Sequence, residues 1–115
     1  MDLLITNNPL VKESYMDKYQ IVYEETDLLG VLTKVRDMVH KGHILITHPL
    51  MGSVKPNESP YKSVIITKTG KNPDIQSLNI IEECIQTAQK FTGKSISEKH
   101  LKDMQIVDLS LISAK

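Results

Sequence analysis

Residues 42–68, GHILITHPLMGSVKPNESPYKSVIITK, restrict the fold more than any other part of the chain. They predict a strand over residues 43–47, a loop, and a second strand over 63–68 centred on Val64, Ile65 and Ile66. The connection carries three prolines, Pro49, Pro56 and Pro60, and one glycine, Gly52. A connection of about a dozen residues with no secondary structure of its own is uncommon in a compact domain, and is usually functional or disordered. Proline fixes φ, so three prolines argue for an ordered path. The sequence therefore puts a site in the loop 47–63, folded over the ends of the strands 3–6 and 43–47.

The remaining elements follow from capping and periodicity. Leu3 to Thr6 read as a short apolar strand. Asn8 is placed to cap a short helix with Pro9 at its first position. Ile21 and Val22 centre a second strand over 20–24. Thr26 or Asp27 then caps a helix reaching Lys41, with Leu28, Leu32, Val35 and Val39 on one face and Gly42 just past its end. Gly30 inside it costs about 1 kcal/mol relative to alanine and leaves room for a close neighbour. Asp74 or Ser77 opens another long helix through Leu78, Ile81, Ile85 and Ala88. Ser97 caps a short one ending near Met104. In the tail 105–112, Val107, Leu109 and Leu111 alternate with Asp108 and Ser110. This favours a last edge strand, with a helix as the alternative.

Strands alternating with helices indicate an α/β fold. The expected architecture is a single-domain sandwich over residues 1–115, with a mainly parallel sheet of about five strands flanked by helices. Leu32, Val35, Ile44, Ile46, Ile65, Leu78, Ile81 and Ile85 are expected in one core, and the lone cysteine, Cys84, as a buried inert thiol.

Fourteen basic and fourteen acidic residues cancel, so net charge makes no case for nucleic-acid or membrane partners. The balance is uneven: residues 49–72 hold four lysines against Glu58, whereas 13–27 hold five acids against Lys18. No apolar run approaches the roughly 20 residues that span a bilayer, and the first residues lack a signal-peptide pattern. A cytoplasmic protein is the expectation.

Two stretches echo each other: Thr6-Asn7-Asn8-Pro9-Leu10 and Thr47-His48-Pro49-Leu50 each follow a short apolar run. If these strands are parallel, their C-terminal ends share the sheet edge where open α/β sheets bind ligands. The candidate pocket is then lined by Thr6, Asn7, Asn8, Thr47 and His48; the candidate ligand-binding residues are Asn7, Asn8, Thr47 and His48, extended by Ser53, Lys55 and Lys62 from the loop. The structural alternative is that Asn and Thr only cap and turn the chain. A metal site is not expected: a strand between His43 and His48 would hold them roughly 16 Å apart. No cofactor motif is present.

Three stretches look like the GrdX family: Ile5-Thr6-Asn7-Asn8-Pro9-Leu10-Val11, the run from Thr47 to Ser63, and Asp108-Leu109-Ser110-Leu111-Ile112. The central run is the most specific, and the resemblance covers nearly the whole chain. These are small proteins encoded beside the glycine reductase system of amino-acid-fermenting anaerobes. The resemblance implies a cytoplasmic accessory role near glycine, sarcosine or betaine reduction, and no known catalytic residues. The expected function is non-catalytic: binding a small polar or anionic ligand, or a protein partner of that system, at the loop 47–63. The alternatives are a small enzyme using His48 as general acid–base, and a pure protein-interaction module.

Overall fold

The computed structural model describes residues 2–49, 61–67, 72–90 and 98–113, with only the backbone of 98–101. The elements are β1 (Leu3–Thr6), α1 (Pro9–Tyr15), β2 (Gln20–Tyr23), α2 (Leu28–His40), β3 (Ser63–Ile66), α3 (Ile75–Lys90) and α4 (Glu98–Ser113). Local chemistry sets the helix ends. Asn8 Oδ1 accepts from Leu10 N at the start of α1, where Pro9 needs no partner for its missing N–H. Asp27 accepts from Gly30 N to cap α2, and Gly42 follows that helix at φ 108°, a conformation suited to glycine. Before α3, the Asp74 carboxylate accepts from both Ser77 N and Ser77 Oγ.

β1 is the middle of a three-stranded sheet in the order β2-β1-β3. It pairs with β2 in parallel and with β3 antiparallel, so that Thr6 lies opposite Tyr23 on one side and Ser63 on the other. Side chains alternate across a strand, and here each face meets its own helices. Leu3, Ile5, Val64 and Ile66 pack with Leu32, Val35 and Val39 of α2 and Ile81, Cys84 and Ile85 of α3. On the opposite face, Leu4 and Ile65 pack with Val11 of α1 and Ile112 of α4. The sheet is thus covered on both sides, which is why β1 and β3 are buried along their whole length.

This corrects the expected sheet in three respects. The sheet is mixed and three-stranded, not mainly parallel with about five strands, because β3 enters antiparallel. Residues 43–47 are not a strand of it; they form one antiparallel bridge, Leu45 to Ile66. Competing acceptors break the ladder there. Ile44 N donates to Thr67 Oγ1, Leu45 N donates to Ser77 Oγ, and Ile46 N and Thr47 N both turn to the Ile65 carbonyl. Ile44 and Ile46 are accordingly 41% and 39% exposed, outside the core expected to hold them. Finally, residues 105–112 are helix, not strand, because α4 runs on to Ser113. Its inward face is Gln105, Asp108, Leu109 and Ile112, a spacing of three, one and three. Val107, which the alternation assigned inward, is 36% exposed.

Leu32, Val35, Ile81 and Ile85 are buried in the α2–α3 core, with Leu78 packed against it. Ile65 is buried but belongs to the other face. Cys84 is buried.

Candidate functional site

Parallel strands β1 and β2 end together, and the chain reverses into β3 beside them. At that edge the structure gathers buried polar side chains: Thr6, Asn7, Asn8, Lys62, Ser63 and Asp108. Low-dielectric surroundings make each unpaired group costly, so the hydrogen bonds decide what the cluster is for.

Most of it is a clamp. Ser63 Oγ donates to Asp108 Oδ2 at 2.8 Å. A hydroxyl has one hydrogen, so Thr6 Oγ1, 2.7 Å from Ser63 Oγ, donates to the serine in turn. Thr6 Oγ1 also accepts from Asn8 N at 3.0 Å. Asn8 is used completely: its Oδ1 caps α1, and its Nδ2 donates to Gln105 O at 2.9 Å and to Asp108 Oδ2 at 3.1 Å. Gln105 Nε2 donates to Tyr61 OH at 2.9 Å. One residue, Asn8, thus starts α1 and fastens α4 to the sheet. Asn7 spans the edge in the other direction: its Nδ2 donates to Thr26 O at 2.8 Å, and its Oδ1 accepts from Lys62 N at 2.9 Å. It ties the end of β1 to the turn after β2 and to the entry of β3.

Two ionisable groups are buried there, and burial governs both. It pushes the Lys62 pKa down, against the opposing electrostatic pull of Asp108 and Cys84. It pushes the Asp108 pKa up, against the hydrogen bonds from Asn8 and Ser63 and the positive charge of Lys62. Both neutral forms are favoured relative to the same groups in water. Ser63 faces α4, so pleat alternation sends the preceding Lys62 toward the α2–α3 side, where Cys84 lies. Among the described residues, the Lys62 ammonium makes no hydrogen bond or ion pair, although Lys62 is 5% exposed.

The candidates read from the sequence divide accordingly. Asn7, Asn8 and Lys62 meet in this cluster. Thr47 does not join it: its Oγ1 accepts from Ile65 N at 2.9 Å and replaces a missing ladder bond. His48 is exposed. The 3–6 and 43–47 stretches do run in the same direction, since both oppose β3, but β3 lies between them. Ser53 and Lys55, and the ordering of their loop, lie outside the described residues. Asp108 and Gln105 were missed because the tail was read with a period of two. The signal for them is the helical face 105, 108, 109 and 112, polar in its first half and apolar in its second.

Of the other histidines, His40 faces Glu82 at 3.8 Å, and His43 Nδ1 lies 2.7 Å from Thr67 O. Among the described residues, no group of three His, Cys, Asp or Glu is placed to hold a metal ion. No helix among them is long and apolar enough to cross a membrane.

The family model of the GrdX-like proteins matches residues 3–115, essentially the whole chain. That family is linked by name to the glycine reductase system. No curated protein and no solved structure matches the chain.

Proposed function

The chain belongs to the GrdX-like protein family, and from that premise we propose that it is a non-catalytic accessory or regulatory protein of the glycine, sarcosine or betaine reductase system. In this reading it binds a small polar or anionic ligand at Lys62, on the edge where β1 and β2 end and β3 begins. The observation that carries the reading is the state of Lys62 itself. It is buried, yet its ammonium lacks a hydrogen-bond or ion-pair partner among the described residues. At the same sheet edge, Thr6, Asn8 and Ser63 spend their hydrogen bonds on holding α4. Lysine is seldom fully buried without a partner, so a ligand group supplying one stabilises the native state. The location agrees with the general placement of ligands outside the carboxyl ends of parallel strands.

A thermal-shift series on the full chain tests this, using amino acids, small carboxylates, 2-oxo acids and acyl phosphates. A ligand at about 100 times its Kd adds about 2.7 kcal/mol to native stability, which appears as a rise in Tm. The rise is expected in wild type and absent in Lys62→Met. If no compound shifts the wild type, or the variant shifts equally, Lys62 is not the binding group.

A second reading has its own observation. Ile44 and Ile46 are exposed outside β3, with His48 next to them in sequence and also exposed. An apolar edge of that kind suits a protein partner. Failure of every small ligand in the series, with loss of partner binding in Ile44→Lys and Ile46→Lys variants, favours this interaction module.

A further inference from the structure

We propose that the open edge of β2 pairs antiparallel with β2 of a second copy of this chain, joining two three-stranded sheets into one. This surface lies on the far side of the sheet from the Ile44–Ile46 edge, and it is independent of any ligand at Lys62.

The backbone of β2 is the first observation. β1 takes one side of it, and among the described residues no strand pairs with the other. Gln20 N donates to Asp2 O at 3.0 Å, and Glu24 N donates to Thr6 O at 2.9 Å. Backbone groups alternate in direction along a strand, so Gln20, Val22 and Glu24 turn to β1, while Ile21 and Tyr23 turn to the open side. Among the described residues, the N–H and C=O of Ile21 and Tyr23 have no partner. β1 and β3 are buried along their whole length, whereas Gln20 is exposed and Ile21, Val22 and Tyr23 are half-buried. An apolar edge strand of this kind is a template for another strand.

The side chains select the occupant. In antiparallel pairing an outward-turned residue must face another one, so a two-fold axis passes beside Ile21, Val22 or Tyr23. An axis at Ile21 sets Gln20 against the partner's Val22. An axis at Tyr23 sets Ile21 and Val22 against the partner's Glu25 and Glu24. The axis at Val22 sets Val22 against itself, Ile21 against the partner's Tyr23 and Gln20 against the partner's Glu24. Apolar then meets apolar, an amide can donate to a carboxylate, and no like charges oppose each other. Each Ile21–Tyr23 pair exchanges both backbone hydrogen bonds. Val22 lies on the α2–α3 face and Ile21 on the α1–α4 face, so the pairing extends both layers of the core. The strand is thus complementary to its own copy in a region otherwise crowded with acids, and Lys34 already faces Glu24 at 3.7 Å.

The experiment is sedimentation velocity on the full chain over a wide range of concentration, with variants at the axis. Wild type is expected to form a species of twice 13.0 kDa as concentration rises. Val22→Lys and Val22→Glu each set a like charge against itself, and each is expected to remain monomeric with a native circular dichroism spectrum. Mixing the two restores the dimer, because the opposed charges are now opposite in sign. Val22→Cys gives an independent reading of the register. Residues opposed in a non-hydrogen-bonded pair have Cα atoms about 4.5 Å apart, within disulfide reach. With oxidised glutathione, Val22→Cys is expected to cross-link to a dimer faster than Gln20→Cys, whose residue faces the partner's Glu24. Wild type, whose Cys84 is buried, gives no cross-link. A wild type that stays monomeric throughout, with no cross-link in Val22→Cys, overturns the proposal. So does a dimer that survives both charge variants, with Val22→Cys no faster than Gln20→Cys, since the copies would then meet elsewhere. If the charge variants fail to fold, the two cysteine variants decide the register by themselves.

Discussion

At the scale of single residues, Asn8 carries the most connections. As a helix cap it is worth about 1 kcal/mol. Its Nδ2 also satisfies Gln105 O and Asp108 Oδ2, and a lost bond to a buried acceptor costs about 1–3 kcal/mol. Asn8→Ala is therefore expected to destabilise by about 2–4 kcal/mol, read from the urea midpoint. Asn8→Asp separates the two roles. Aspartate caps a helix as well as asparagine does, but it removes both Nδ2 donors and sets a carboxylate against buried Asp108. A wild-type midpoint in Asn8→Asp would show that the cap alone matters. The sequence made the cap legible, since Asn-Pro before a helical face is a local signal. The second role was not legible, because its partners lie 97 and 100 residues away and in an element assigned to the wrong class.

At the scale of elements, local chemistry was readable and pairing was not. The starts of α1 and α2, the glycine after α2 and the stripe of α3 all follow from residues within one or two turns. The failure at 43–47 has a different origin. Its backbone donors are taken by Thr67 Oγ1 and Ser77 Oγ, from chain 23 and 32 residues further on. The failure at α4 is one of period: Val107, Leu109 and Leu111 alternate, while the buried face is spaced helically. Val107→Pro tests that correction. Proline in a helix interior costs about 3 kcal/mol or more, whereas an edge strand tolerates it. Circular dichroism should show lost helicity along with a large drop in Tm, and a near-native spectrum would return the tail to a strand. Gly30 in α2 gives the opposite surprise to the usual helix rule. Alanine normally gains about 1 kcal/mol over glycine there. A Cβ at Gly30 would collide with the Thr26 side chain, 2.6 Å from its Cγ2 and 2.8 Å from its Cβ. Rotating the threonine cannot move its own Cβ, so the turn must shift, and that turn offers Thr26 O to Asn7. Gly30→Ala is expected to lose about 1–3 kcal/mol despite its better helix propensity; a raised urea midpoint would contradict this close approach.

For the whole molecule, the sheet separates two helical layers, and the polar edge is where both layers and all three strands meet. Alternation along β1 and β3 made the layering deducible once the strands were known, but the direction of β3 and its place beside β1 depend on how the 47–63 connection returns. Stability against pH reports on the two buried ionisable groups at that edge. Asp108 has its folded pKa raised by burial. Between the unfolded and folded values the native state holds more protons than the unfolded chain, so this contribution is full below the ordinary carboxylate pKa. It is lost as pH climbs through the raised one. Lys62 has its folded pKa lowered by burial. Between the folded and ordinary lysine values the unfolded chain holds more protons, so its contribution is full above the ordinary lysine pKa and is lost as pH falls through the lowered one. Together they cut a trough into the profile where both groups are charged. Asp108→Asn should remove the loss on the acid side, and Lys62→Met the recovery on the alkaline side. Replacing a buried charge by an apolar group of similar volume also lifts the floor, by about 1 kcal/mol for Lys62→Met. Its relief outweighs the loss to Asp108, because Asn8 and Ser63 do more than Lys62 to hold that carboxylate. Urea midpoints across the pH range, in wild type and both variants, decide the matter. Parallel profiles in all three proteins would mean that neither group is buried as placed here. A Lys62→Met variant less stable than wild type at neutral pH would mean that the ammonium is paired and that the site at the strand edge is already filled by the chain itself.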